Sequence, residues 1–242
     1  VKRLTDIVPE LLTKIQKQFD DAFNKSEIIK LNFARVRDGT ATHDDSYRFA
    51  QEVGKILRQS LNDNLSAEVL PDGKMYYNIA DRILSDTLGT NYELISGNTA
   101  NIQSILNKNS GFGIKGVKSE FNKDKVKGIV DRLSEADDFE DIRWIICDPI
   151  ENFSESVVDD TIHACADFLD KSGIETYVVR TSSGGCCKWC NNLAGAYEYD
   201  TIALNHHDVW KRHESCHCQV SVKTNKYGKL EKMRRAGNAF IG

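Results

Sequence analysis

No apolar run in the chain approaches the roughly 20 residues that a membrane-spanning helix needs, so a soluble protein with no membrane partner is expected. No secretory signal opens the sequence, and only two of the seven cysteines, Cys147 and Cys165, stand outside two short clusters. A disulfide framework is therefore disfavoured. Internal repeats and long linkers are also lacking. Proline is scarce, at three residues. Pro9 falls in the first turn of a helical pattern, where a missing amide donor costs little; Pro71-Asp72-Gly73 is a turn; Asp148-Pro149 ends a helical stretch. One sign of charge does not dominate either, the net charge being -4. It is unevenly spread: residues 135–155 hold eight acidic side chains against Arg143 alone, and residues 223–242 hold six basic ones against Glu231. Such a basic tail can bind nucleic acid by counterion release, bind an acidic protein surface, or be merely solvated.

The dinucleotide-binding context is absent as well. Gly111-Phe112-Gly113-Ile114-Lys115-Gly116 matches G-x-G-x-x-G by letter. That fingerprint works only where a strand enters and a helix leaves, so that the helix N-terminus faces a pyrophosphate. Here a helical pattern precedes it, and a plain loop is expected.

What is present is enough apolar residue, 40% of 242, to bury a core without help from metal. Leu4, Val8, Leu11, Ile15, Phe19 and Phe23 recur at helical spacing, predicting a helix over about 5–24 with Asp6 as its cap. Further helices are expected over 27–37, from the capping box Thr42–Asp45 to about Leu65, over 75–88, over 92–107, and over 124–136. A short one should surround Phe139–Ile146, and another should run from Asn152–Glu155 to Gly173. Within that last helix Cys165 reads as a small core residue and His163 as a satisfied or exposed side chain. From Ile174 the texture changes. Residues 174–181, 196–199 and 219–222 are rich in β-branched or aromatic side chains and read as strands. The expected fold class is α+β: a helical domain over 1–150, a small α+β domain holding a Cys/His cluster over 151–222, and a basic tail over 223–242.

The chemistry lies in that cluster. Cys187 and Cys190, then His213, Cys216 and Cys218, form a C-x2-C-x22-H-x2-C-x-C array, with Cys186 and His217 beside it. A C-x2-C turn lets two thiolates converge on one ion, and a facing segment can close the tetrahedron, as structural Zn2+ requires. Cys187, Cys190 and Cys216 are the expected ligands, with either His213 or Cys218 as the fourth. At least one of Cys186, His213, Cys218 and His217 should therefore lie outside the shell. An enzymatic alternative is a metal-dependent nuclease or other DNA-acting effector using His206, His207 or His213. No convincing partner set accompanies that histidine pair. A redox C-x2-C would need a βαβ setting that is missing.

The run from Cys186 through Trp189-Cys190-Asn191-Asn192-Leu193-Ala194-Gly195 to Tyr199, with Asp208-Val209-Trp210-Lys211-Arg212-His213 through Cys216-His217-Cys218 to Val220, resembles minor head proteins of tailed phages and prophages of Gram-positive bacteria. These form the broad Mu F-like head-morphogenesis group. Leu70-Pro71-Asp72-Gly73 through Ala80 and Val157 through Ile162 add to the likeness, which covers the chain from about Phe33 onward. The resemblance implies a structural virion component inside the capsid near the portal, formed in the host cytoplasm during assembly. It would act in head assembly or in DNA packaging and ejection. Its implied partners are portal and capsid proteins, with packaged DNA on the basic tail; a host sensor protein is a third kind of partner. Two departures stand out: His217 occupies a position more usually Arg in the group, and the His206-His207 pair is not part of the pattern.

Overall fold

The computed structural model describes residues 6–183, 186–205, 207–213 and 216–224. The basic tail from residue 225 and His206 lie outside the described residues. The fold is α+β: helices dominate, and a three-stranded antiparallel sheet near the C-terminal end accompanies the Cys/His cluster. The helices are α1 (Val8–Lys25), α2 (Glu27–Arg37), α3 (His43–Asn64), α4 (Tyr77–Asn109), α5 (Lys123–Glu135), α6 (Phe139–Ile142), α7 (Asp148–Lys171), α8 (Lys188–Leu193) and α9 (Tyr199–Asn205). The strands are β1 (Thr176–Thr181), β2 (Gly195–Glu198) and β3 (Gln219–Thr224). No helix among the described residues is long and apolar enough to cross a membrane.

Several boundaries differ from the periodicity reading. Helix α1 starts at Val8, with Ile7 and not Asp6 as its N-cap; Asp6 stands one residue further ahead, its carboxylate accepting from the Val8 amide at 3.1 Å. The helices expected over 75–88 and 92–107 are one helix, α4, because Leu84, Leu88, Tyr92 and Ile95 continue a single buried stripe through Gly89. A glycine inside a helix costs only about 1 kcal/mol, too little to break such a stripe. Helix α7 starts at Asp148, ahead of Asn152, because Pro149 sits in its first turn, where no amide donor is required. The segment around Phe139–Ile146 divides into α6 and a 3-10 turn, Arg143–Ile146.

Contacts group the chain into two compact units that interleave in sequence: residues 1–31, 49–95 and 121–155 form one, and 32–48, 96–120 and 156–242 the other. The sequence places single boundaries near 150 and 222 instead. In the first unit α1 buries Val8, Leu11, Ile15 and Phe19, α3 buries Val53, Leu57 and Leu61, and α5 buries Val126, Ile129, Val130 and Leu133. Gly54 permits close helix packing there, since a Cβ at that position would stand 2.7 Å from Ser154 Oγ and 3.2 Å from Glu151 Cα.

In the second unit α7 buries Val158, Ile162, Cys165, Ala166 and Leu169. Just past its end stands Gly173, whose φ of +77° lets the Ile174 amide return to the Leu169 carbonyl at 3.1 Å. Cys165 is a core residue, its thiol donating to the Val117 carbonyl at 3.2 Å, and burial pushes that thiol up to about 11. His163 is exposed and stacks on Trp210 at 4.3 Å between centroids. The G-x-G-x-x-G segment is a loop, and its last glycine has a packing role: a Cβ on Gly116 would strike the Ala100 carbonyl oxygen. In the sheet, β1 is central, with the order β2-β1-β3. Val178 pairs with Tyr197 on one side and Val222 on the other. Thr176, Val178 and Arg180 all face the buried side of β1, so an arginine occupies an inward position.

Candidate metal centre

The structure brings together all five residues that the spacing singles out. Cys187 is the N-cap of α8, and its sulfur accepts from the Cys190 amide at 3.5 Å. Because cap and third helical residue lie on one side of a first turn, the two sulfurs converge. Strand β3 begins just after Cys218, so its pairing with β1 carries the second cluster towards the first. His213 Nε2 lies 3.2 Å from Cys187 Sγ and 3.1 Å from Cys190 Sγ. Cys190 Sγ lies 3.5 Å from Cys216 Sγ. Two triads result, Cys187–Cys190–His213 and Cys190–Cys216–Cys218, each with its donor atoms within 4.8 Å of one another, and Cys190 belongs to both.

Those distances suit a metal ion. Bonds of about 2.0–2.3 Å at tetrahedral angles place neighbouring donors about 3.3–3.8 Å apart. Neutral thiols gain little from such crowding, whereas a divalent ion at the centre would bind each of them. The five residues could therefore hold a metal, with one donor more than a tetrahedron uses. Cys186 lies outside, its thiol donating to Asn191 Oδ1 at 3.0 Å. His217 is exposed and belongs to neither triad. His207 stands in the 3-10 turn His207–Trp210.

The electrostatics of the thiols diverge. The Cys190 amide, aided by His213, holds the Cys187 thiol down to about 7, so this exposed sulfur is readily ionised. Cys190 is fully buried, and burial, together with Cys216 and Cys218, pushes its thiol above the usual range. A cation bound between them would reverse that preference.

Behind the cluster lies a buried polar frame that spacing did not reveal. Arg212 Nε donates to Asp159 Oδ2 at 2.8 Å, with the two side chains 5% and 6% exposed. The same guanidinium donates to the carbonyls of Cys216 and Cys218, fixing the backbone that carries both sulfurs. Tyr47 donates to Asp159 and accepts from the Val220 amide at 2.8 Å. Burial and the Asp159 carboxylate hold the Tyr47 phenol well above its ordinary range, so it remains a donor. Arg180 reaches the cluster from β1, with Nη2 3.9 Å from Cys216 Sγ. The one available signal was the alternation of β1, which turns Arg180 inward with Thr176 and Val178.

Comparison with protein-family models, characterised proteins and solved structures finds no match.

Proposed function

We propose that the chain is a structural minor head protein of a tailed phage, placed inside the capsid near the portal and acting in head assembly or in DNA packaging and ejection. A Zn2+ ion is its structural clip. The observation that carries this reading is the convergence of Cys187, Cys190, His213, Cys216 and Cys218, the same residues whose spacing carries the resemblance to the Mu F-like head-morphogenesis group. A sulfur-rich set with more than four protein donors leaves no place for a reacting water, which favours a structural metal over a catalytic one. Bound there, zinc would join the turn after β1 to the approach to β3 and contribute something like 10 kcal/mol to the folding of that region. Cys187, Cys190 and Cys216 would hold it, with His213 or Cys218 completing the four. Portal and capsid proteins are the partners this role requires.

The reading is tested by expressing the chain with its phage or prophage, purifying particles, and assaying them by mass spectrometry for the chain and for portal association. Its absence from particles would overturn the head-protein assignment. Elemental analysis of the purified protein tests the clip: about one equivalent of zinc is expected, and less than half an equivalent would refute it. Plasmid nicking with Mg2+ or Mn2+ that disappears in His207→Ala would favour the nuclease alternative instead.

A further inference from the structure

Arg180 is 4% exposed. A guanidinium is always charged, so burying one calls for an anion or for a full set of acceptors. Arg212 meets that demand with Asp159 and two carbonyls; Arg180 does not. Its Nη1 donates to the Val209 carbonyl at 2.5 Å, its Nη2 faces Cys216 Sγ at 3.9 Å, and its guanidinium lies 5.7 Å from the centre of the Trp189 ring. Its Nε is buried with no acceptor, and no carboxylate meets the group among the described residues. Among the described residues, the neighbours able to carry negative charge are the sulfurs of two candidate metal ligands, Cys216 and Cys190.

We propose that Arg180 is the built-in counter-ion of a metal–thiolate complex, a positioning residue that orients Cys216 and strengthens metal binding by neutralising the charge of the cluster. This rests on the reading that the cluster holds zinc. A divalent ion bound by three thiolates and one imidazole carries one net negative charge, and one bound by four thiolates carries two. In a buried setting such a charge is stabilised by a nearby fixed cation far more than it would be in water. Arg180 cancels the first charge fully and the second by half. Arg180 is itself buried, which limits screening of the pair by water.

The test uses the full chain, stripped of metal and titrated with zinc against a chromophoric chelator, alongside Arg180→Gln and Arg180→Lys. Glutamine keeps a donor for the Val209 carbonyl and loses the charge; lysine keeps the charge and loses the fork. Outer-shell partners of metal ligands change affinity by about 10–100-fold, so Arg180→Gln should bind zinc that much more weakly at unchanged stoichiometry. Arg180→Lys should stay close to the parent. In the cobalt-substituted proteins the thiolate-to-metal charge-transfer band should move to longer wavelength in Arg180→Gln only, because an unopposed thiolate is more easily oxidised. Equal affinity in all three proteins, or equal loss in both variants, would overturn the counter-ion role while leaving the zinc clip standing. A parent chain that binds no zinc would instead remove the reading on which the role rests.

Discussion

Asp159 and Arg212 form a nearly dry ion pair, and what such a pair contributes differs from what breaking it costs. Replacing both partners with apolar groups can be neutral, but removing one leaves a buried charge unpaired, at about 3–5 kcal/mol. Asp159→Asn should therefore destabilise the protein by that amount in urea unfolding, and a change below about 1 kcal/mol would show the network to be slack. His43 sets a pH dependence in the same unit. Burial holds its imidazole down to about 4 although Gln103 is hydrogen-bonded to it at 2.9 Å. An unfolded chain takes up this proton near pH 6.5 and the folded one only near 4. The stability that follows from a neutral His43 is thus fully present above about pH 6.5 and is lost as pH falls towards 4, by about 3 kcal/mol. His43→Gln should flatten the stability profile across that window, and an unchanged slope would contradict the assignment. Side chains of this kind explain where the sequence was mute. A buried arginine or aspartate has the same letter as a solvated one, and only the fold tells Arg212 from Lys211.

Elements were legible wherever their signal is periodic. The bounds of α2 and the start of α3 follow directly from apolar spacing and the Thr42–Asp45 box, whose carboxylate accepts from the Thr42 amide at 2.9 Å. The three strands were likewise announced by β-branched and aromatic residues. Helices α8 and α9 were not anticipated, because each spans at most two turns, too short for a periodic pattern to stand out. Gly54 was equally silent, since a glycine inside a helix looks like a simple propensity loss. Its value lies in letting α3 approach Ser154 and Glu151. Gly54→Ala gains intrinsic helix propensity yet forces its new methyl against Ser154, and overpacking of this kind costs about 1–3 kcal/mol. The variant should melt lower than the parent. Ser154→Ala, which removes the hydroxyl that the methyl would strike, should restore part of the loss. Additive destabilisation in the double variant would place the strain elsewhere.

At the scale of the molecule the candidate metal ligands were the most legible feature and their consequences the least. Five donors could be read from spacing because coordination fixes residue type and interval together, whereas the interleaving of two compact units depends on long-range contacts that no local pattern encodes. That interleaving makes a spatial prediction about metal removal. All five donors belong to the unit formed by 32–48, 96–120 and 156–242. The other unit has its own apolar core on α1, α3 and α5. Local opening tracks the contacts that hold each region closed, so on the proposed zinc clip, stripping the ion with a chelator should raise amide exchange first in β1, β3 and residues 186–193. Protection over Val8–Lys25 and Lys123–Glu135 should persist under the same conditions. Hydrogen-exchange mass spectrometry before and after chelation reads both sets of peptides in one experiment. Loss of protection spread evenly over the two sets would mean that the ion supports the whole chain and not one region. No change in either would mean that the sulfurs hold their places without it.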